Sequence, residues 1–155
     1  NFVISQQSTD GAWAYSHGDA RSWVDNYHTG YILDCLDEYI NLSNDHAFDS
    51  NFKKGIDYYR ENFFENNEIP KFYDKNKYPI DSTAAAQSIL SLSKFGYIGT
   101  AGKVAKWMID NMQNSKGYFY FRKYNKHTRK ISYMRWSNAW MFAALARLLF
   151  KAKLS

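Results

Sequence analysis

Charged and apolar residues alternate in blocks along this chain. Helical stretches almost free of charge are separated by stretches that carry an apolar stripe on a charged body. From Ser82 to Ser93 no residue is charged, and from Trp136 to Leu149 only Arg147 is. Helices of that composition are expected to be surrounded by protein. By contrast, Phe52, Ile56, Tyr59 and Phe63 recur at helical spacing beside Lys53, Lys54, Asp57, Arg60 and Glu61. Val104, Met108 and Met112 do the same beside Lys103, Lys106 and Asp110, so these two helices are expected to turn one side to solvent. A helix from Asp25 to about Ser43 is intermediate, with Asp34, Asp37, Glu38 and Asn41 on one stripe and Tyr27, Tyr31, Cys35 and Tyr39 on others. The predicted order is inner, outer, inner, outer, inner: two concentric layers of helices.

The inner helices begin alike. Trp23-Val24-Asp25-Asn26, Pro79-Ile80-Asp81-Ser82 and Arg135-Trp136-Ser137-Asn138 each put a short capping side chain behind two larger residues, and Asp25, Asp81 and Ser137 recur every 56 residues. A fixed period of that size marks stacked helical units, each too small to bury its own apolar face. The connecting loops, Gln7 to Tyr15, Glu65 to Tyr73 and Gln113 to Phe121, each pass through polar or glycine residues into an aromatic stretch. The third predicts a β-hairpin, Tyr118 to Lys123 against Lys130 to Met134, with Asn125 to Thr128 at its turn. The expected fold is all-α, an α/α toroid arc of about three helical hairpins with this small β-hairpin near 118–134. It forms one domain over 1–155 and reads as a C-terminal fragment of a longer protein.

Composition narrows the function classes. Two prolines, 45% hydrophobic and 19% aromatic residues describe a chain that folds. Its single cysteine, Cys35, excludes an internal disulfide or a multi-cysteine metal site. No uncharged apolar run approaches the roughly 20 residues of a membrane span, and no targeting segment is visible, so localisation stays open. The net charge of +5 favours an anionic partner if it is concentrated. It is: Arg122, Lys123, Lys126, Arg129, Lys130 and Arg135 fall in one stretch with no acid among them. Half the expectation for such a run is simply a solvated hairpin; the other half is an electropositive wall for a uronate, sulfate or phosphate. Nucleic acid is disfavoured, because the cations are not spread over a helix or sheet face.

Gln7-x-x-Asp10-Gly11-x-Trp13 followed by an inner helix resembles the Gln-Trp repeat of terpenoid cyclase and protein prenyltransferase toroids. The whole layout also resembles the six-hairpin toroids of polysaccharide-active enzymes, including the helical C-terminal domain of glucuronyl C5-epimerases. Trp23-Val24-Asp25-Asn26-Tyr27-His28-Thr29-Gly30-Tyr31 and Ile131-Ser132-Tyr133-Met134-Arg135-Trp136-Ser137 are similar to the C-terminal toroid of bacterial polysaccharide-associated proteins. The resemblance spans nearly the whole chain and implies a saccharide-binding or saccharide-modifying domain. Cyclisation is disfavoured, because no Asp-x-Asp-Asp occurs. A prenyltransferase-like zinc site is disfavoured too: the adjacent Asp34 and Cys35 diverge by about 100° around a helix, leaving no set with His28. Neither metal nor cofactor is expected. A full ring of this type holds about twice these hairpins, so further sequence or a second copy would complete it.

In such toroids the starts of the inner helices and the loops before them share one rim. Tyr15, Trp23, Asp25, Lys71, Tyr73, Asp81, Tyr120, Arg122 and Trp136 are the binding candidates there, since rings stack on sugar faces while charged groups meet hydroxyls and carboxylates. His28, Tyr133 and Arg135 form the catalytic trial set, a proton acceptor and donor beside a cation for proton transfer at a uronic acid. Capping is the stronger expectation for Asp25 and Asp81, and packing for Trp13 and Phe119. His28 is evenly balanced between a core and a catalytic histidine. No pair of rim acids suits a glycosidase, and no Ser-His-Asp, phosphate-loop or dinucleotide motif is present. The alternative to an enzyme or lectin-like domain is a non-catalytic helical scaffold that contacts another protein.

Overall fold

The computed structural model describes residues 2–154, so the outermost residues of the 1–155 domain lie outside it. The described part is mainly helical. Its helices are α1 (Phe2–Ser5), α2 (Asn26–Ser43), α3 (Asp49–Asn62), α4 (Ser82–Lys94), α5 (Ile98–Met112) and α6 (Trp140–Ala152). Five short strands lie between them: β1 (Phe64–Glu65), β2 (Ile69–Pro70), β3 (Ile80–Asp81), β4 (Arg122–Lys123) and β5 (Thr128–Arg129). No helix among the described residues is long and apolar enough to cross a membrane.

Two of the three predicted caps are real. Asp25 is extended and accepts the His28 amide at 2.9 Å, while Asp81 accepts the Thr83 and Ala84 amides at 2.9 and 3.1 Å. Ser137 does not cap. Its hydroxyl turns back to the Tyr133 carbonyl at 2.8 Å, inside a π-helical turn at Met134–Ala139 that precedes α6. A π turn holds one residue more than an α turn and so delays the helix by one position.

The helix α4 is central, packed between α2 and α6 with α5 behind it, while α3 backs α2 and α5 also touches α6. Small residues set the spacing: Ala84, Ala85 and Ala86 are buried, and a Cβ on Gly30 of α2 would meet the Gln87 side chain at 3.1 Å. Inside, the Tyr59 hydroxyl donates to Asn26 Oδ1 at 2.7 Å, Ser88 Oγ shares that oxygen at 2.7 Å, and Asn26 Nδ2 donates to the Lys71 carbonyl at 2.9 Å. This satisfied network ties α2, α3, α4 and a loop together, and full burial pushes the Tyr59 hydroxyl pKa up.

The loop before α2 is fastened to α3. Gln7 Nε2 donates to the carbonyls of Gly11 and Asn51 at 3.1 and 3.0 Å, and Trp13 wedges flat against Gly55 of α3, where a Cβ would come within 2.6 Å of the ring. Gln113 repeats the bond, to the Gly117 carbonyl at 3.0 Å, in front of the buried Phe119. Trp13 and Phe119 are therefore packing residues.

The helix α6 differs from expectation. Met141, Ala144 and Leu148 are buried, but Ala143 and Ala146 are exposed, as are Phe142 at 76% and Leu149 at 64%. Only the side toward α4 and α5 is covered among the described residues, because no outer helix follows α6 there. The β-hairpin is present but sits nearer its turn: Arg122 pairs with Arg129 and Lys123 with Thr128, putting Thr128 in a strand. Pairing of β4 with β3, Asp81 opposite Arg122, fixes the hairpin to the start of α4.

Candidate functional site

The start of α2 carries a histidine held by an acid. His28 Nδ1 lies 2.9 Å from both carboxylate oxygens of Asp25, which is almost fully buried, whereas the His28 side chain is 51% exposed. The cap that begins the helix thus also fixes the imidazole, and a neutral ring donating through Nδ1 leaves Nε2 as an acceptor. Trp23 Nε1 donates to the same carboxylate at 3.3 Å. Tyr15 stacks on Trp23 at 5.1 Å and meets the His28 ring edge-on at 4.8 Å, and Tyr73 closes on Trp23 at 6.3 Å while its backbone bridges to Asp25. Tyr15, Trp23, Asp25, His28 and Tyr73, five of the rim candidates, therefore form one cluster.

A pocket of about 320 Å³ opens beside it, lined by Tyr27, His28, Phe72, Asp81, Arg122 and Trp136 among others. Arg122 reaches Asp81 through two nitrogens, at 2.8 and 2.7 Å, and lies over the rings of Phe72 and Phe121. Its charge is spent on the cap of α4, so it acts as a fixed wall. The remaining hairpin cations behave differently: Lys123, Lys126, Arg129, Lys130 and Arg135 take no part in the ion pairs among the described residues. Lys130 lies over the Tyr120 ring at 5.6 Å. Tyr133 packs against Phe121 and Trp136, at 5.0 and 5.4 Å, and together with the exposed Arg135 is not among the residues lining the pocket with His28. Lys71 donates to the Asp74 carbonyl, and burial lowers its pKa. Tyr120 accepts from Asn114 at 3.0 Å.

A second concavity of about 700 Å³ lies between α2, α4 and α6, lined by Tyr31, Asp34, Glu38, Lys94, Trp140 and Arg147 among others. Tyr27, which lines the smaller hollow, touches Tyr31 at 5.0 Å and Trp140 at 6.3 Å, which line the larger one and meet each other at 6.4 Å. Asp34 was not singled out as chemistry by sequence. Its Oδ2 accepts from Gln87 at 2.7 Å and Ser91 at 3.2 Å, its Oδ1 is buried without a partner, and desolvation raises its pKa against the opposing pull of Lys94. Lys94 serves Asp37 at 3.1 Å and Glu38 at 2.8 Å. The available signal was the position of Asp34 on a mixed helix facing an uncharged one that keeps Gln87 and Ser91 one turn apart.

Among the described residues no group of three or more His, Cys, Asp or Glu could hold a metal ion. Comparison with protein-family models gives no match, and neither does comparison with curated proteins.

Proposed function

We propose that this chain is an arc of an α/α toroid that binds an anionic saccharide along the concave side of α2, α4 and α6. A bacterial polysaccharide carrying uronic acids is the substrate class. The observation that carries this reading is the coupling of two features: a hairpin with unpaired cations is joined through β3 to a pocket walled by Tyr27, Phe72 and Trp136. Aromatic faces suit the apolar faces of sugar rings, and the cations attract a carboxylate without binding it rigidly. The contacts of Tyr27 with Tyr31 and Trp140 carry the same kind of aromatic surface toward the larger hollow.

His28 is the residue we assign to proton transfer of the epimerase or lyase kind. With Nδ1–H donated to Asp25, Nε2 takes the proton from C5 of a uronic acid, the C5–H electron pair passes into the adjacent carboxyl group as an enediolate, and the imidazolium, stabilised by Asp25, exchanges with solvent and returns a proton to C5. The direct test is calorimetric titration with defined oligouronides, combined with deuterium incorporation at C5 in heavy water. Wild-type binding that Trp136→Ala weakens supports the binding site, and incorporation that His28→Gln abolishes supports the chemistry. Absence of binding to any oligouronide overturns both. A non-catalytic scaffold is the second reading, favoured by the bare apolar side of α6.

A further inference from the structure

The larger hollow holds one charge that the fold itself does not use. Its charged lining residues are Asp34, Glu38, Lys94 and Arg147. The first three are engaged: Asp34 Oδ2 accepts from Gln87 and Ser91, and Lys94 holds Glu38 at 2.8 Å while also reaching Asp37 and the Asp34 carbonyl, at 3.1 and 3.2 Å. Arg147 is exposed and has no ion-pair partner among the described residues. A guanidinium offers a planar fork of N–H donors and no acceptor, so an unpaired one at a hollow suits an oxyanion with two oxygens side by side.

Position joins that charge to an aromatic surface. Arg147 comes seven residues after Trp140 in α6, which puts the two on the same side of the helix about 10 Å apart along its axis. Both line the hollow, as does Tyr31, whose ring lies 6.4 Å from that of Trp140. Trp140 also touches Tyr27, which lines the smaller pocket with His28. Rings therefore lead from the His28 pocket to the hollow in which the unpaired guanidinium stands.

The other charges of the hollow restrict what Arg147 holds. Asp34 and Glu38 against Lys94 and Arg147 leave the lining near neutral, so it does not gather anions from solution as the hairpin cations do. It suits the single carboxylate of a chain already drawn to the rim, and a doubly charged phosphate would be repelled by the two acids.

We infer that Arg147 is the specificity-determining residue of a second subsite, where its fork pairs with the carboxylate of one uronate unit and Trp140 carries a sugar ring. The inference rests on the saccharide reading and adds to it the group that selects a uronate over a neutral sugar in the larger hollow.

The test is calorimetric titration of wild type and Arg147→Gln with defined oligouronides, joined to NMR of the Arg147 Nε–H signal, which is assigned by its loss in the variant. Urea unfolding of Arg147→Gln should match wild type, because the side chain is exposed and outside the ion pairs. The expected result is affinity weaker by about tenfold or more in Arg147→Gln, the scale of a hydrogen bond to a charged group. The wild-type Nε–H signal should also shift as the oligouronide saturates the chain, a response that a merely structural arginine would not give. Equal affinity in the variant, or a signal that stays in place at saturation, overturns the subsite. If Trp136→Ala still weakens that binding, the saccharide reading stands and only the role of Arg147 falls; absence of binding to any oligouronide removes both.

Discussion

The carboxylate of Asp25 caps the helix that carries His28 and, from 2.9 Å, also holds the Nδ1 of that histidine. One side chain therefore caps the helix and orients the imidazole to which proton transfer is proposed, and two substitutions separate the roles. Asn caps helices about as well as Asp, so Asp25→Asn is expected to change stability little through the cap while mis-setting the imidazole. Deuterium incorporation into an oligouronide should fall about 10²-fold or more, as for other acid-oriented histidines. Asp25→Ala should add a loss of about 1 kcal/mol in urea unfolding. Unchanged incorporation in Asp25→Asn would exclude His28 as the base.

At Gly55 the ring of Trp13 occupies the space a side chain would need, with Leu33 behind it. Gly55→Ala must move the indole or separate α2 from α3, because both neighbours are buried. The expected cost is about 1–3 kcal/mol by denaturant unfolding. A neutral or stabilising result would show that helix propensity outweighs the wedge.

Removing Asp81 strips the cap from α4 and leaves the half-buried Arg122 without its acid. Asp81→Ala should therefore cost about 2–4 kcal/mol, more than an ordinary cap. Arg122→Met, which keeps the packing against Phe72 and Phe121, should cost less. Equal losses in thermal unfolding would mean that the cap contributes nothing beyond the ion pair.

Burial raises the pKa of Asp34 above 3.8, so the folded protein holds that proton more tightly than the unfolded chain does. The sign follows from linkage. At low pH the carboxyl is neutral in both states and causes no penalty; as pH rises through 3.8 toward the raised value, the unfolded chain loses its proton first and stability falls. Asp34→Asn is therefore expected to be more stable than wild type near neutral pH, with the gain shrinking as pH drops through that window. A gain independent of pH, in unfolding measured at several pH values, would contradict the assignment.

Much of this arrangement was legible in the residues. Absence of charge in Ser82 to Ser93 identified the buried α4, and the short acids at Asp25 and Asp81 marked real helix starts, because burial and capping act on a helix locally. Trp136 to Leu149 has the same composition, yet its burial depends on a neighbour that composition does not encode. Ser137 matched the period of Asp25 and Asp81 but fell in a π turn, which a spacing argument reads as an ordinary first turn. The cluster of Tyr15, Trp23, Asp25, His28 and Tyr73 was visible as shared loop chemistry. Grouping Tyr133 and Arg135 with His28 required knowing which way the hairpin leads its last strand into α6. Asp34 looked like one member of an acidic stripe until Gln87 and Ser91 came opposite it.

On the proposed reading, hairpin cations outside the ion pairs among the described residues draw an anionic sugar to the rim. Titrating an oligouronide into the wild type and into a Lys123→Gln, Arg129→Gln, Lys130→Gln triple variant, at low and at physiological salt, tests it most directly. Arg129 and Lys130 are exposed, Lys123 is half-buried, and all three lie outside the ion pairs among the described residues, so the fold should persist. Wild-type affinity is expected to weaken with salt, and the triple variant to bind about tenfold more weakly at low salt with a flatter salt dependence. Binding that ignores both salt and the three substitutions would contradict it.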